Sequence, residues 1–387
     1  MFKIQTLNNI SLRGLERLPR DRYEVASELV RPDALLVRSA DVHAIEIPAS
    51  VLAVARAGAG TNNIPVAKLS QRGIPVFNAP GANANAVKEL VLAGLLLAAR
   101  NICQAWAYVR TLEGDDHALE AAMEQGKKKF VGYELPGRTL GVVGLGAIGV
   151  EVANAALNLG MKVLGYDPQI TVQRAWQLSS GVEQALSLDD LFARCDAVTV
   201  HVPLNDHTRG LVNASRITLM RRGSAVLNFA RGQIVDEAAV LAGLDSGQLS
   251  AYVCDFPTNA VRAHARVVAL PHLGASTGEA EENCAIMVAD TLREFLESGN
   301  VRHSVNFPEA VLPRAGVSRL AIANANVPNM VGQISTCLAE ARLNIADLLN
   351  KSRGDIAYTL IDTDAPIGPE VVGKLRAIPG VLSARLI

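Results

Sequence analysis

The sequence carries almost no net charge. Lys and Arg total 37 against 38 Asp and Glu, a formal charge of −1, so neither a nucleic acid nor a membrane surface is expected as partner. Cysteine is scarce and scattered. Cys103, Cys195, Cys254, Cys284 and Cys337 are odd in number and form no CxxC. That argues against a disulfide framework or a zinc site, no metal is expected, and a reducing cytosol fits. Long apolar runs are missing. The longest, Leu90 to Ala99, is far short of the ~18 residues that span a bilayer. The opening MFKIQTLNNI has no apolar h-region, so no signal peptide is expected. Repeats and low-complexity tracts are absent as well. A soluble cytoplasmic protein is the expectation, and 387 residues allow two or three domains with cores of their own.

What is present is an alternation. Short apolar, β-branched runs (DALLVRS, RTLGVVG, KVLGYD, DAVTVHV, SAVLNFA, AYVCDF, RVVALP) alternate with helical patterns over about 270 residues. Continuous apolar strands separated by helices indicate parallel sheets covered on both faces, the doubly wound α/β class. Gly299 to Gly316 breaks the rhythm with Pro, Gly and polar residues and reads as a linker. The last 70 or so residues read βαββαβ, the ferredoxin-like order.

RTLGVVGLGAIG is a strand running into Gly144-x-Gly146-x-x-Gly149, followed by a helical segment. Gly144 permits the tight turn, Gly146 lets a pyrophosphate approach the backbone, and Gly149 lets helix pack on strand. The anion would sit on the helix N-terminal N–H groups of Ala147 and Ile148. Eighteen residues after Gly149 the next strand ends on Asp167, placed to accept from ribose hydroxyls and to repel a 2′-phosphate. NAD is therefore expected rather than NADP.

In an open parallel sheet, ligands bind beyond the carboxyl ends of the strands. Those ends carry Val202 and Pro203, Arg231, Asp255 and His272. Arg231 offers a planar fork for a carboxylate or carbonyl oxygen, and His272 exchanges protons near neutral pH. Hydride transfer from an alcohol needs both functions beside a nicotinamide. One absence stands out. A proton-exchanging histidine usually has a carboxylate behind it, and in CDFPTNAV Asn259 stands where that acid is sought.

The motifs GVVGLGAIG, NFARGQIVDEAAV and PHLGASTGEAEENCA, with LLVRSA, ARAGAGTNNIPV and GIPVFNAPGANANAVKEL upstream, resemble the D-2-hydroxyacid dehydrogenases over nearly the whole chain. Within that family the similarity is greatest to the branch that oxidises 3-phospho-D-glycerate to 3-phosphohydroxypyruvate, the first step of serine synthesis. The resemblance implies two Rossmann-like lobes: a substrate-binding lobe of residues 1–97 and 281–300, and an NAD-binding domain of residues 98–280. The active site would lie in a cleft that closes by a hinge. It implies Arg231 and His272 as catalytic residues. Ala147, Ile148, Asp167, Val202, the Phe229–Ala230–Arg231 backbone, Asp255, and the loop of Leu273, Gly274 and Ala275 would hold NAD, with Asp255 near the nicotinamide amide. Arg38 and Arg56 would bind phosphate and carboxylate, and Asn83 would make a further substrate contact. The family's loop carries a glutamate where Asn259 stands, and one residue is missing here after Asp255. Asn259 could accept from the imidazole without supplying charge, which makes His272 less basic than in glutamate-bearing relatives.

After a linker of residues 301–316, residues 317–387 resemble an ACT domain, the small module that binds amino acids in regulated biosynthetic enzymes. NANVPNMVGQI fits its strand-to-helix loop. L-serine is the implied effector, at an interface of paired domains, with Asn324, Asn326 and Asn344 at the site. Asn324 replaces a histidine found in a bacterial version. A homo-oligomer, dimer or tetramer, is implied. Two other readings stay open: a D-2-hydroxyacid dehydrogenase for glyoxylate, hydroxypyruvate or erythronate 4-phosphate, and a non-enzymatic NAD-sensing protein.

Overall fold

The computed structural model describes all residues, Met1–Ile387. The chain forms two compact units, residues 1–83 with 278–387, and residues 84–277. The expected boundary at 97/98 falls inside one continuous helix, Ala84–Arg100. That helix packs wholly with the second unit, through Val87, Val91, Leu95 and Ala98.

The first unit begins with strands β1 (Phe2–Leu7), β2 (Tyr23–Ala26), β3 (Ala34–Val37), β4 (Ala53–Arg56) and β5 (Val76–Phe77). They form a parallel sheet of order β2-β1-β3-β4-β5. The central strand ALLV is buried at every residue, because both faces are covered. One face packs on the long helix Gly278–Ser298, which brings Ala285, Val288, Leu292, Phe295 and Leu296 against Ile4, Leu36, Ala55 and Phe77. The spacing of three, four, three and one along that helix is a helical stripe.

The second unit holds β6 (Thr139–Val143), β7 (Lys162–Tyr166), β8 (Val182–Gln184), β9 (Ala197–Val200), β10 (Ser224–Asn228), β11 (Leu249–Cys254) and β12 (Val267–Ala269), all parallel, in the order β12-β11-β10-β9-β6-β7-β8. Each strand matches an apolar run expected from the sequence except the short edge strand β8. Helices Ala84–Arg100 and Ala147–Asn158 cover one face, and Leu188–Arg194, Ala214–Leu219 and Glu237–Asp245 the other. Strand order reverses between β6 and β9, which makes a switch point at the glycine-rich turn.

The tail supplies β13 (Ser318–Ala325), β14 (Ile345–Arg353), β15 (Ile356–Thr363) and β16 (Val381–Leu386), antiparallel, in the order β14-β15-β13-β16. Helices Met330–Glu340 and Pro369–Ala377 pack on one face through Ile334, Leu338, Val371 and Leu375. The other face is not exposed. Ala321, Ala323, Tyr358 and Leu360 join the core that contains Phe295 and Phe307. The 301–316 segment has a linker's composition but is packed: Val301, Phe307 and Ala310 are buried, and Val301 pairs with Ala310. Arg319 holds it in place, donating to the carbonyls of Leu312 at 2.8 Å and Pro313 at 3.0 Å and bridging Asp362 at 2.6 and 2.7 Å. No single helix is long and apolar enough to cross a membrane.

Candidate active site

Sheet register brings the expected residues together. Cys254 lies opposite Asn228, Asn228 opposite Val200, Val200 opposite Val143, and Val143 opposite Tyr166. The residues that follow these strand ends, Gly144, Asp167, Val202, Phe229–Arg231 and Asp255, therefore share one carboxyl edge. β12 ends at Ala269, opposite Cys254, so the loop carrying His272 leaves from the same edge.

The glycines show what each position demands. Gly144 has φ +90°, and a Cβ there would meet the His201 carbonyl at 2.7 Å and Val202 Cγ1 at 2.8 Å. A Cβ on Gly149 would run into the Gly144 carbonyl oxygen, whereas one on Gly146 would meet nothing within 4 Å. Helix Ala147–Asn158 starts at Gly146 with no side chain capping its first turn, so its N–H groups face the open side of the loop. Ile148 is half-buried against the second unit's core. Asp167 fastens the loop: Oδ2 accepts from Leu145 N at 2.9 Å and Oδ1 from Gln169 N at 2.8 Å.

Arg231 is exposed and held at its backbone. Buried Asn228 donates from Nδ2 to the Arg231 carbonyl at 2.9 Å and accepts from Ala230 N at 3.1 Å. Phe229 is buried beside Gly94. Phe256 stands between the two catalytic candidates, with the Arg231 guanidinium 5.7 Å from its ring centre and the His272 ring at 4.5 Å. Within the histidine loop Leu273 is exposed, Gly274 buried and Ala275 half-buried.

Asp255 is 2% exposed, and neither carboxylate oxygen has a hydrogen-bond partner. Burial pushes its carboxyl up to about 6, against its own backbone N–H and the nearby Arg231 charge, which pull it down. A Cβ on Gly274 would lie 3.9 Å from Asp255 Oδ2, so the carboxylate faces the histidine loop. Two buried oxygens without a partner in the chain call for a donor from outside it.

The first unit contains the other candidates. Arg38 is paired with Glu281 of the long helix, so the expected anion ligand already holds a carboxylate. Arg56 ends β4 with its guanidinium over Gly58. Both arginines bear on buried Cys284: burial raises its thiol pKa, and Arg56 and Arg38 pull it down. The two cations therefore share a neighbourhood. Asn83 Oδ1 is buried without a partner.

In the tail, Asn324 is buried, donates to the Ala325 carbonyl at 2.7 Å and leaves Oδ1 bare. Asn326 donates to the Gly354 carbonyl at 3.0 Å. Asn344 lies at the opposite end of the sheet, donating to Asp364 at 3.0 Å. Register makes this plain: Asn324 faces Ala357, while Ile345 faces Thr363. One chain does not bring the three asparagines together.

Residues 92–274 match the family described as D-isomer specific 2-hydroxyacid dehydrogenase, NAD binding domain. The chain is 33% identical to D-3-phosphoglycerate dehydrogenase of Haemophilus influenzae over 355 residues, covering 89% of this chain and 83% of that protein. It is 33% identical to the enzyme of that name from Escherichia coli K12, covering 85% and 79%. The chain belongs to the D-2-hydroxyacid dehydrogenase family. This dehydrogenase is an NAD-dependent oxidoreductase. Its fold is similar to that of NAD+-bound 3-phosphoglycerate dehydrogenase from Entamoeba histolytica, with a TM-score of 0.60, 25% identity, and coverage of 79% of this chain and 98% of that one. D-mandelate dehydrogenase from Rhodotorula graminis shares the fold at a TM-score of 0.67 and 23% identity, with 81% and 99% covered.

One expectation for this dehydrogenase needs correction. The Asn259 carbonyl expected to accept from the His272 imidazole is directed at Arg262, accepting from its Nε at 2.9 Å. Asn259 opens a short helix, Asn259–Arg262, and an asparagine three residues before an arginine closes on it. Two residues that shape the site went unnoticed in the sequence. Asn228 is the one amide in the apolar run SAVLNFA, a signal that was there to be read. Phe256 directly follows Asp255, and nothing in its type marks it as a platform.

Proposed function

We propose that this dehydrogenase oxidises 3-phospho-D-glycerate to 3-phosphohydroxypyruvate with NAD. The observation that carries the reading is the meeting of Arg231, His272 and bare-oxygen Asp255 at the carboxyl edge beside the Gly144–Gly149 turn. NAD fits the residues present: open space over Gly146, the uncapped helix start at Ala147 and Ile148 for the pyrophosphate, Asp167 for ribose hydroxyls, and Asp255 for the nicotinamide amide. Val202, Phe229, Ala230, Leu273, Gly274 and Ala275 would complete the walls. When bound, NAD supplies the hydride acceptor.

The chain's own residues do the rest. Arg231 presents parallel donors to the substrate carboxylate and to the C2 oxygen as it becomes a carbonyl. His272 takes the hydroxyl proton as hydride leaves C2 and returns it in the reverse reaction. Asn228 fixes the Arg231 turn, and Phe256 limits how far either group strays. Arg56, Asn83 and Arg38, the last on exchanging Glu281 for the ligand, would bind the phosphate end.

The tail would act as an ACT-type regulatory domain. L-serine would bind between two copies, with Asn324 and Asn326 from one chain and Asn344 from another, which requires at least a dimer. NADH formation from 3-phosphoglycerate, D-glycerate and D-lactate tests the substrate. Turnover only with the unphosphorylated acids would overturn the assignment. Thermal-shift titration with L-serine tests the effector, and no shift at millimolar serine would leave the tail a structural element.

A further inference from the structure

Where the tail sheet meets the loops of the first sheet, there is a cavity of about 590 Å³. Three arginines line it: Arg72, from the turn before β5, Arg376, at the end of helix Pro369–Ala377, and Arg385, on β16. No lining residue is an Asp or Glu. Several arginines elsewhere in the chain pair with carboxylates, but none of these three does.

Their protein contacts are mainly with backbone carbonyls, and Arg385 also hydrogen-bonds the Tyr358 side chain. Arg72 donates to Ile47 and Pro48, each at 3.0 Å. Arg385 donates to Leu296 at 3.3 Å and to Phe295, and its guanidinium lies 4.2 Å from the Phe295 ring centre. Arg376 donates only from Nε, to Ala384 at 2.8 Å, so both of its terminal nitrogens are left as a fork. Carbonyls fix these side chains without neutralising them. The remaining walls include Val51, Leu52 and Ile74, and apolar walls strengthen whatever electrostatic contact forms inside. Tyr358 and Ser383 also line it, with their hydroxyls donating to the carbonyls of Gly299 at 2.7 Å and Gly73 at 3.3 Å.

We propose that this cavity binds a small organic polyanion, carrying at least two carboxylate or phosphate groups. The Arg376 fork takes one group in bidentate fashion, and Arg72 and Arg385 take the others. Such a ligand joins the tail to the first sheet, because Arg72 belongs to one and Arg376 and Arg385 to the other. Arg385 also holds the carboxyl end of the long helix at Phe295 and Leu296, so occupancy bears on that helix directly. None of the residues assigned to catalysis or serine binding takes part.

Isothermal titration of the full-length chain, without NAD, with citrate and separately with inorganic pyrophosphate tests the site. One site per chain is expected for at least one of the two anions, unchanged in Arg231→Gln. It should be at least ten-fold weaker in Arg376→Gln, lost in Arg72→Gln/Arg376→Gln, and partly restored by Arg376→Lys. Arg376→Gln should keep its turnover and a cooperative thermal transition. Citrate binding alone would identify a carboxylate ligand, and pyrophosphate binding alone a phosphate. If neither binds, if the double variant binds like wild type, or if only Arg231→Gln loses binding, the proposal is overturned.

Discussion

The imidazole of His272 lies against the phenyl ring of Phe256, centroids 4.5 Å apart and planes at 45°. The same ring has the Arg231 guanidinium 5.7 Å from its centre. One side chain thus sets the lateral position of both groups proposed to act on the substrate. Leu at this position keeps apolar bulk but loses the flat surface. Phe256→Leu is expected to lower kcat roughly 10- to 100-fold, the scale of a small misplacement at a reacting centre, with Tm little changed. Steady-state kinetics beside a melting curve checks this, and a kcat within two-fold of wild type would remove Phe256 from the machinery.

Asp255, proposed to hold the nicotinamide amide, would link cofactor binding to pH. Its carboxyl is raised to about 6 by burial, so the folded state holds the proton more tightly than the unfolded chain. The stability from this protonation is fully present below the ordinary carboxylate range, about pH 4, and is lost as pH rises through about 6. Asp255→Asn removes that loss. It should stabilise the fold by about 3 kcal/mol at pH 7.5 and change little at pH 4, since each pKa unit is worth about 1.4 kcal/mol. NAD should move the other way. A nicotinamide amide donating to the ionised carboxylate binds more tightly as pH rises through about 6, and Asn at 255 flattens that dependence while weakening binding. Denaturation and NAD titrations at both pH values separate the two effects.

Gly146 and Gly149 separate ligand from fold. A Cβ on Gly146 meets nothing within 4 Å, whereas one on Gly149 collides with the Gly144 carbonyl. Gly146→Ala should leave Tm almost unchanged and weaken NAD binding about ten-fold or more, a loss of roughly 1.4 kcal/mol or more. Gly149→Ala should destabilise the unit itself by about 1–3 kcal/mol, the usual cost of overpacking. Differential scanning calorimetry and NAD titration of both variants check the contrast.

Much of this was legible because the chemistry is local. Apolar runs such as SAVLN and ALLV announce strands buried on both faces, and GLGAIG announces its turn, since each signal lies within a few consecutive residues. Partnerships across the chain were not legible. Arg38 reads as an anion ligand until the fold brings Glu281 to it, 243 residues on. Residues 301–316 read as a free linker because Pro and Gly mark irregular backbone without showing what packs on it. The clamp is Arg319, inside a strand whose pattern alone looks ordinary. Asn259 is the intermediate case: its partner, three residues away, was within reach of a capping argument.

That local partner changes what substitution at 259 should do. A glutamate there meets Arg262 at the start of a helix and pairs with it rather than with His272. Asn259→Glu is expected to leave the acidic limb of the pH–rate profile unmoved. Asn259→Glu/Arg262→Ala frees the carboxylate, and a shift of that limb to higher pH in the double variant alone would show that Arg262 was the obstacle. A shift already present in the single variant would mean that Asn259 faces the histidine during turnover.

Arg319 and Asp362 are 1% and 0% exposed and form a bidentate pair, so they carry the docking of the tail. Burial alone would raise the Asp362 carboxyl, but donation from Arg319 and from Ala315 N outweighs it and the pKa is lowered. The stability from this lowering is therefore present above the ordinary carboxylate range and lost only as pH falls below it, in acid. Removing one partner strands the other charge. Asp362→Asn should cost about 3–5 kcal/mol at neutral pH, and limited proteolysis should then cut within 301–316, where Arg319 also holds the Leu312 and Pro313 carbonyls. Arg319→Met/Asp362→Leu should recover much of the stability, because neither charge is left buried. It would not recover the protection of 301–316 from protease, since replacing Arg319 takes the donor from the Leu312 and Pro313 carbonyls. If the double variant protects the segment as wild type does, the apolar face of Ala321, Ala323, Tyr358 and Leu360 suffices to dock the tail, and the ion pair is dispensable.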